Sequence, residues 1–207
     1  MGGIVEAQPL RDPGAEPRLL DLPTDFRRFP RMSPRGHVIL SHGLESGPQA
    51  TKVAALAAAA EALGWTSERP DYLDLDATRD VARLPDRLAR LLEHCRAALG
   101  AGRGPLVLAG SSMGAFISAL ASLEVDVRGL FLLAPPVRIV GYRELEAAPV
   151  PTAILHGWRD ELIPAADVVA WAAARRDELT LVDDSHRLAE HVDCGAKAFA
   201  RFLERLS

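Results

Sequence analysis

Hydrophobic positions along the chain fall into two alternating textures from His37 onward. Short runs that are apolar throughout, such as Pro105–Ala109 and Gly129–Leu133, alternate with longer stretches whose apolar residues recur at helical spacing. A strand read as apolar on both faces needs cover on both faces, which is the condition of a strand in a parallel sheet flanked by helices. The pattern predicts strands at His37–Ser41, Thr66–Arg69, Pro105–Ala109, Gly129–Leu133, Thr152–His156 and Glu178–Val182. Between them it predicts helices at Pro48–Leu63, Thr78–Leu99, Met113–Leu123, Ala165–Ala174 and Leu188–Leu206. In the second of these, Val81, Leu84, Leu88, Leu91 and Leu92 form the apolar stripe. The alanine-rich stretch after Pro48 favours helix and close approach to a sheet. The class is α/β, a mostly parallel sheet with helices on both faces.

The first 36 residues are different. They are rich in Pro and Arg and lack sustained periodicity, with short edge strands at Ile4–Gln8 or Leu19–Asp21 as the only candidates. The division is an N-terminal segment, 1–36, partly irregular, and a domain over 37–207. At 207 residues a second core would leave each half small, so a single domain is expected overall.

Composition narrows the function by exclusion. A net charge of −4 with cations scattered among acids gives no basic face for nucleic acid, so no nucleic-acid partner is expected. The cations are almost all Arg, with Lys only at Lys52 and Lys197, and they read as a solvated surface. No run is apolar and long enough to span a bilayer, and the first residues lack the continuous apolar stretch of a signal peptide. No membrane association is expected, and the expected compartment is the cytoplasm. Cys95 and Cys194 stand in no metal-ligand spacing and are expected to be reduced.

The chemistry is concentrated at strand ends. Gly110-Ser111-Ser112-Met113-Gly114 has the form G-x-S-x-G between an apolar strand and a helical run. A turn that sharp strains its central residue and lifts the side chain above the sheet, which makes Ser112 a candidate nucleophile. The competing reading is a small-residue turn and nothing more. A serine hydroxyl needs a neighbouring base, and the base needs a carboxylate to fix its tautomer. After the strand Thr152–His156 comes Gly157-Trp158-Arg159-Asp160-Glu161, and after Glu178–Val182 comes Asp183-Asp184-Ser185-His186. Ser112, Asp160 and His186 would then project together from the carboxyl edge of one sheet, where open α/β folds place their sites. Asp183, Asp184 and Glu161 are rival acids, and His191 is a rival base if it is not part of the last helix. His42 and His156 each precede a glycine at a strand end and read as structural hydrogen-bonding groups.

From His37 to its C-terminus the chain resembles the α/β-hydrolase superfamily. His156-Gly157-Trp158-Arg159-Asp160-Glu161-Leu162-Ile163-Pro164 is similar to that family's acid loop, and Ser41-His42-Gly43-Leu44-Glu45-Ser46-Gly47-Pro48 to its oxyanion loop. The resemblance implies catalysis by Ser112, Asp160 and His186, with the backbone N–H groups of Leu44 and Met113 as the oxyanion hole. No cofactor is expected, and no metal, because no His/Asp/Glu cluster has ligand spacing on a shared element. Residues 134–151 are too few for the cap domain that many esterases carry, so an open, cap-less site is expected. Leu44, Met113, Trp158 and Leu188 are candidate substrate contacts. Val137, Ile139 and Tyr142 either line an acyl pocket or cover the sheet edge. The implied activity is hydrolysis of a small-molecule carboxylic ester or thioester through an acyl-enzyme. A non-catalytic binding protein of the same fold and an acyltransferase are the alternatives.

Overall fold

The computed structural model describes residues 34–44, 46–78 and 80–206. The edge-strand candidates before residue 34 lie outside this range. Six strands, β1 (His37–Ser41), β2 (Thr66–Glu68), β3 (Leu106–Ser111), β4 (Gly129–Leu133), β7 (Thr152–Gly157) and β8 (Glu178–Val182), form one sheet in the order β2-β1-β3-β4-β7-β8. All its pairings are parallel. The order reverses direction at β1, so β1 and β3 are neighbours at a switch point, where open sheets of this kind place ligands.

Alternation along each central strand sends side chains to two separate cores. Val38, Leu40, Val107, Phe131, Leu133 and Leu155 pack on one face with α1 (Thr51–Ala62) and α6 (Val192–Leu206). Ile39, Leu108, Leu130, Leu132 and Ile154 pack on the other with α3 (Leu84–Gly100), α4 (Met113–Ala121) and α5 (Ala165–Arg175). This two-sided burial is why the strands are apolar at every position. In α6 the buried residues Phe199, Phe202, Leu203 and Leu206 recur at helical spacing, and the Phe199 ring lies 4.9 Å from that of Phe131. Cys95 belongs to one core and Cys194 packs against the other, so the sheet separates the two free thiols.

Three departures from the expected elements have local causes. The helix predicted from Thr78 begins as a 3-10 turn at Val81–Arg83, capped by the Asp80 carboxylate on the Ala82 N–H, and becomes α-helical at Leu84 with Pro85 in its first turn. The helix predicted from Leu188 starts only at Val192, because Leu188 has φ 50°, a left-handed conformation that interrupts helix. The periodicity missed a short helix, α2 (Leu73–Asp76), and a hairpin of β5 (Arg138–Ile139) with β6 (Arg143–Glu144). That hairpin occupies the interval where a cap could stand, and no cap domain is present among the described residues.

No helix among the described residues is long and apolar enough to cross a membrane. His37 is buried and paired through Nδ1 with the Thr66 hydroxyl at 2.7 Å.

Candidate active site

The β3–α4 corner is built by contact. Ser112 has φ 53° and ψ −119°, a conformation that L residues rarely adopt, and it is held there by its N–H donating to the Leu133 carbonyl at 2.8 Å. The flanking glycines are required because backbone passes where a side chain would begin. A Cβ on Gly114 would stand 2.0 Å from the Ser41 carbonyl oxygen, and one on Gly110 would stand 2.4 Å from the Gly114 backbone. Gly114→Ala should therefore cost about 3 kcal/mol or more by forcing two backbones apart. A denaturant melt within about 1 kcal/mol of wild type would contradict this packing account.

Ser112 Oγ lies 2.9 Å from His186 Nε2, and His186 Nδ1 lies 2.8 Å from Asp160 Oδ2. A carboxylate accepts, so Nδ1 carries the proton and Nε2 is left bare to accept the serine hydroxyl. The three residues come from the ends of β3, β7 and β8. Ser112 and His186 are partly exposed, whereas the Asp160 side chain is fully buried. Its second oxygen accepts the N–H groups of Leu162 and Ile163 at 2.9 and 2.8 Å, which closes the loop around it. Beneath that loop His156 donates from Nε2 to the Ile163 carbonyl at 3.1 Å.

The rival acids are engaged elsewhere. Asp183 is exposed and pairs with Arg159 at 2.6 Å. Glu161 accepts the His186 backbone N–H at 3.1 Å, not the imidazole. Asp184 accepts the N–H groups of Ser185 and Glu190 and the ring of His191, at 2.7, 3.0 and 3.0 Å. Burial raises the Asp184 pKa, but those bonds outweigh it and hold the carboxyl below its ordinary range. His191 precedes α6 rather than lying within it, and its ring serves to pin the turn that carries His186.

The loop after β1 is held from behind by a buried polar cluster, of which only the structural role of His42 is legible in the sequence. The His42 Nε2 accepts the Tyr72 N–H at 3.0 Å, so Nδ1 carries the proton and donates to the Gly43 carbonyl at 2.7 Å. Ser46 Oγ donates to the same carbonyl at 3.0 Å. In a trans peptide the carbonyl and the next N–H point opposite ways, so fixing the Gly43 oxygen fixes the Leu44 N–H on the other side. Arg87 donates to the His42 carbonyl at 2.8 Å, pairs with Asp76, and stacks 4.5 Å over the Tyr72 ring. Arg87 is 1% exposed and sits one turn after Leu84 and one before Leu91, on a stripe that otherwise buries apolar residues. Met113 is the first residue of α4, whose initial N–H groups have no helical acceptor.

A cavity of about 880 Å³ opens over Ser112 and His186. Leu44 and Met113 line it. The other candidate substrate contacts do not. Trp158 is 59% exposed on the acid loop, its N–H tied to the Val182 carbonyl. Leu188 is turned into the α1–α6 core by its left-handed backbone. Val137, Ile139 and Tyr142 pack against the core on the α3–α5 face, with Tyr142 against Phe116. A further cavity of about 610 Å³, lined by Pro149, Arg175, Phe202 and Arg205, contains none of Ser112, Asp160 and His186.

Residues 34–202 match the family model described as the alpha/beta hydrolase domain. The chain belongs to the alpha/beta hydrolase family. A crystal structure of a candidate hydrolase of the alpha/beta superfamily from Xanthomonas campestris pv. campestris is 56% identical, with a TM-score of 0.80 over 83% of this chain and 99% of that one. Two more distant structures share the fold. One is an alpha-beta serine hydrolase homologue from Coxiella burnetii, 24% identical, TM-score 0.62, over 83% of this chain and 86% of that one. The other is a serine hydrolase without a lid, also from Xanthomonas campestris, 21% identical, TM-score 0.61, over 85% and 84%. No curated protein matches the sequence.

Burial lowers the pKa of His37, His42 and His156, so this hydrolase fold carries three imidazoles that resist protonation. The unfolded chain takes up those protons near the ordinary value of 6.5, the native state only at lower pH. Their stabilising effect is thus complete above that value and is lost as pH falls below it. Thermal melts should show a midpoint that declines from pH 7.5 toward about pH 5. A flat or rising midpoint would contradict the burial of these imidazoles in neutral form.

Proposed function

We propose that this hydrolase cleaves carboxylic esters or thioesters through an acyl-enzyme at Ser112. The observation that carries the reading is the continuous hydrogen-bond chain from Ser112 Oγ through the His186 ring to Asp160. His186 Nε2 removes the hydroxyl proton as Ser112 Oγ attacks the carbonyl carbon. The imidazolium that forms is stabilised by Asp160, already aligned on Nδ1. The Leu44 and Met113 N–H groups hold the oxygen that gains charge, a contribution worth about 2.7–4 kcal/mol per donor in related chemistry. When the tetrahedral adduct collapses, His186 returns its proton to the departing alcohol or thiol. Water then enters, gives a proton to the same nitrogen as its oxygen attacks the acyl carbon, and His186 returns that proton to Ser112 Oγ as the C–O bond breaks and the acid leaves. Because Asp160 is fully buried and doubly bonded by backbone, it orients the ring rather than moving a proton.

Pre-steady-state mixing with 4-nitrophenyl acetate tests this. A burst of nitrophenol equal to the enzyme concentration, followed by a slower steady rate, is the result expected of an acyl-enzyme. Burst-free release that persists after the Ser112 hydroxyl is removed would exclude it.

A further inference from the structure

The cavity over Ser112 carries a charge that ester cleavage alone does not require. Lys52, in the first turn of α1, and Arg187, the residue after His186, both line it. Among the described residues no Asp or Glu lines the cavity, although acids outnumber cations in the chain, 28 to 24. Among the described residues neither Lys52 nor Arg187 has an ion-pair partner. The acids closest in charge to Lys52 are Asp160 and Asp184, and both are occupied by His186, His191 and backbone N–H groups. Lys52 is thus a half-buried ammonium whose desolvation lowers its pKa and which no carboxylate among the described residues contacts. An unpaired cation in such a place gains most when a ligand anion arrives, because charge-assisted hydrogen bonds are stronger than neutral ones. Leu44, Val53, Met113 and Val192 supply apolar wall alongside.

We propose that the ester turned over at this site carries an anionic group, a carboxylate or a phosphate, bound by Lys52 and Arg187. The proposal rests on the ester-hydrolase reading above and adds the substrate class to it. The competing role for Lys52 is packing: its stem also borders a small apolar recess with Leu56 and Leu188. A packing role does not distinguish charged from neutral substrates, so selectivity separates the two.

The test is the ratio of kcat/KM for mono-4-nitrophenyl adipate to that for 4-nitrophenyl hexanoate, which share a chain length and differ in one terminal carboxylate. Wild type should prefer the adipate by about tenfold or more, and added salt should narrow the gap. In the double variant K52M/R187M the ratio should fall toward one. Loss of folded protein scales both rates alike, so the ratio reads recognition alone. Competition by free adipate against competition by inorganic phosphate tells which anion the site holds better. A wild-type ratio at or below one, or a ratio that the double variant leaves unchanged while both esters are cleaved, overturns the proposal. No cleavage of either ester by wild type would instead sink the ester-hydrolase reading, and this proposal with it.

Discussion

Ser112→Ala should lower kcat for an activated ester by roughly 10⁴-fold or more while leaving the fold intact. The size follows from what is removed. Alanine deletes the atom proposed to form the covalent bond, and the adjacent Ser111 hydroxyl is buried in β3. Some rate above water should remain, because the substitution leaves the proposed oxyanion hole, the Leu44 and Met113 amides, in place. The protein itself should be no less stable and could gain slightly, as the substitution changes only one partly exposed hydroxyl. The pair of measurements is therefore diagnostic: rate collapses, melting does not. His186→Ala should cost a comparable factor, and the double variant little more than either alone, because the two residues act as one unit.

Arg87→Met should strongly destabilise the protein. Arg87 pairs with Asp76 inside the protein, donates to the His42 carbonyl and stacks on Tyr72. Removing one partner of a buried ion pair typically costs about 3–5 kcal/mol, since the other polar groups keep their desolvation without their contact. For a domain of this size that is a fall in melting temperature on the order of 10 °C. Activity should fall as well, because the His42 carbonyl is one peptide before the unit whose N–H is assigned to the oxyanion. Arg87→Lys keeps the charge but loses the fork that reaches Asp76 and His42 together, so it should recover only part of either loss. A melt and a kcat close to wild type in Arg87→Met would show that the cluster is not what holds the loop.

The same cluster marks where sequence reading stops. Ser112, Asp160 and His186 were legible because each follows an apolar strand, and strand ends in a parallel sheet converge on one edge. The structure brings those three side chains within hydrogen-bonding distance, and the strands β1, β4 and β8 have the bounds the pattern predicts. Arg87 was not legible. Its place on the buried stripe of α3 was the available signal, but periodicity places an arginine beside Leu88 on the wet face by default, and only the fold shows Asp76 and His42 opposite it. Lys52 and Arg187 were read as solvated for the same reason: two cations far apart in sequence become neighbours only when α1 and the His186 turn meet. The candidate contacts Trp158 and Leu188 failed on local backbone. A left-handed Leu188 turns its side chain inward, and the acid loop leaves Trp158 facing out. No period-based argument reaches a single φ angle.

The central claim is an activated nucleophile at Ser112, and intact-mass spectrometry after treatment with a fluorophosphonate tests it most directly. Wild type should gain one adduct, Ser112→Ala none, and His186→Ala an adduct that forms far more slowly. A well-folded wild type that gains no adduct, or a Ser112→Ala protein that is labelled as fast as wild type, would contradict the account.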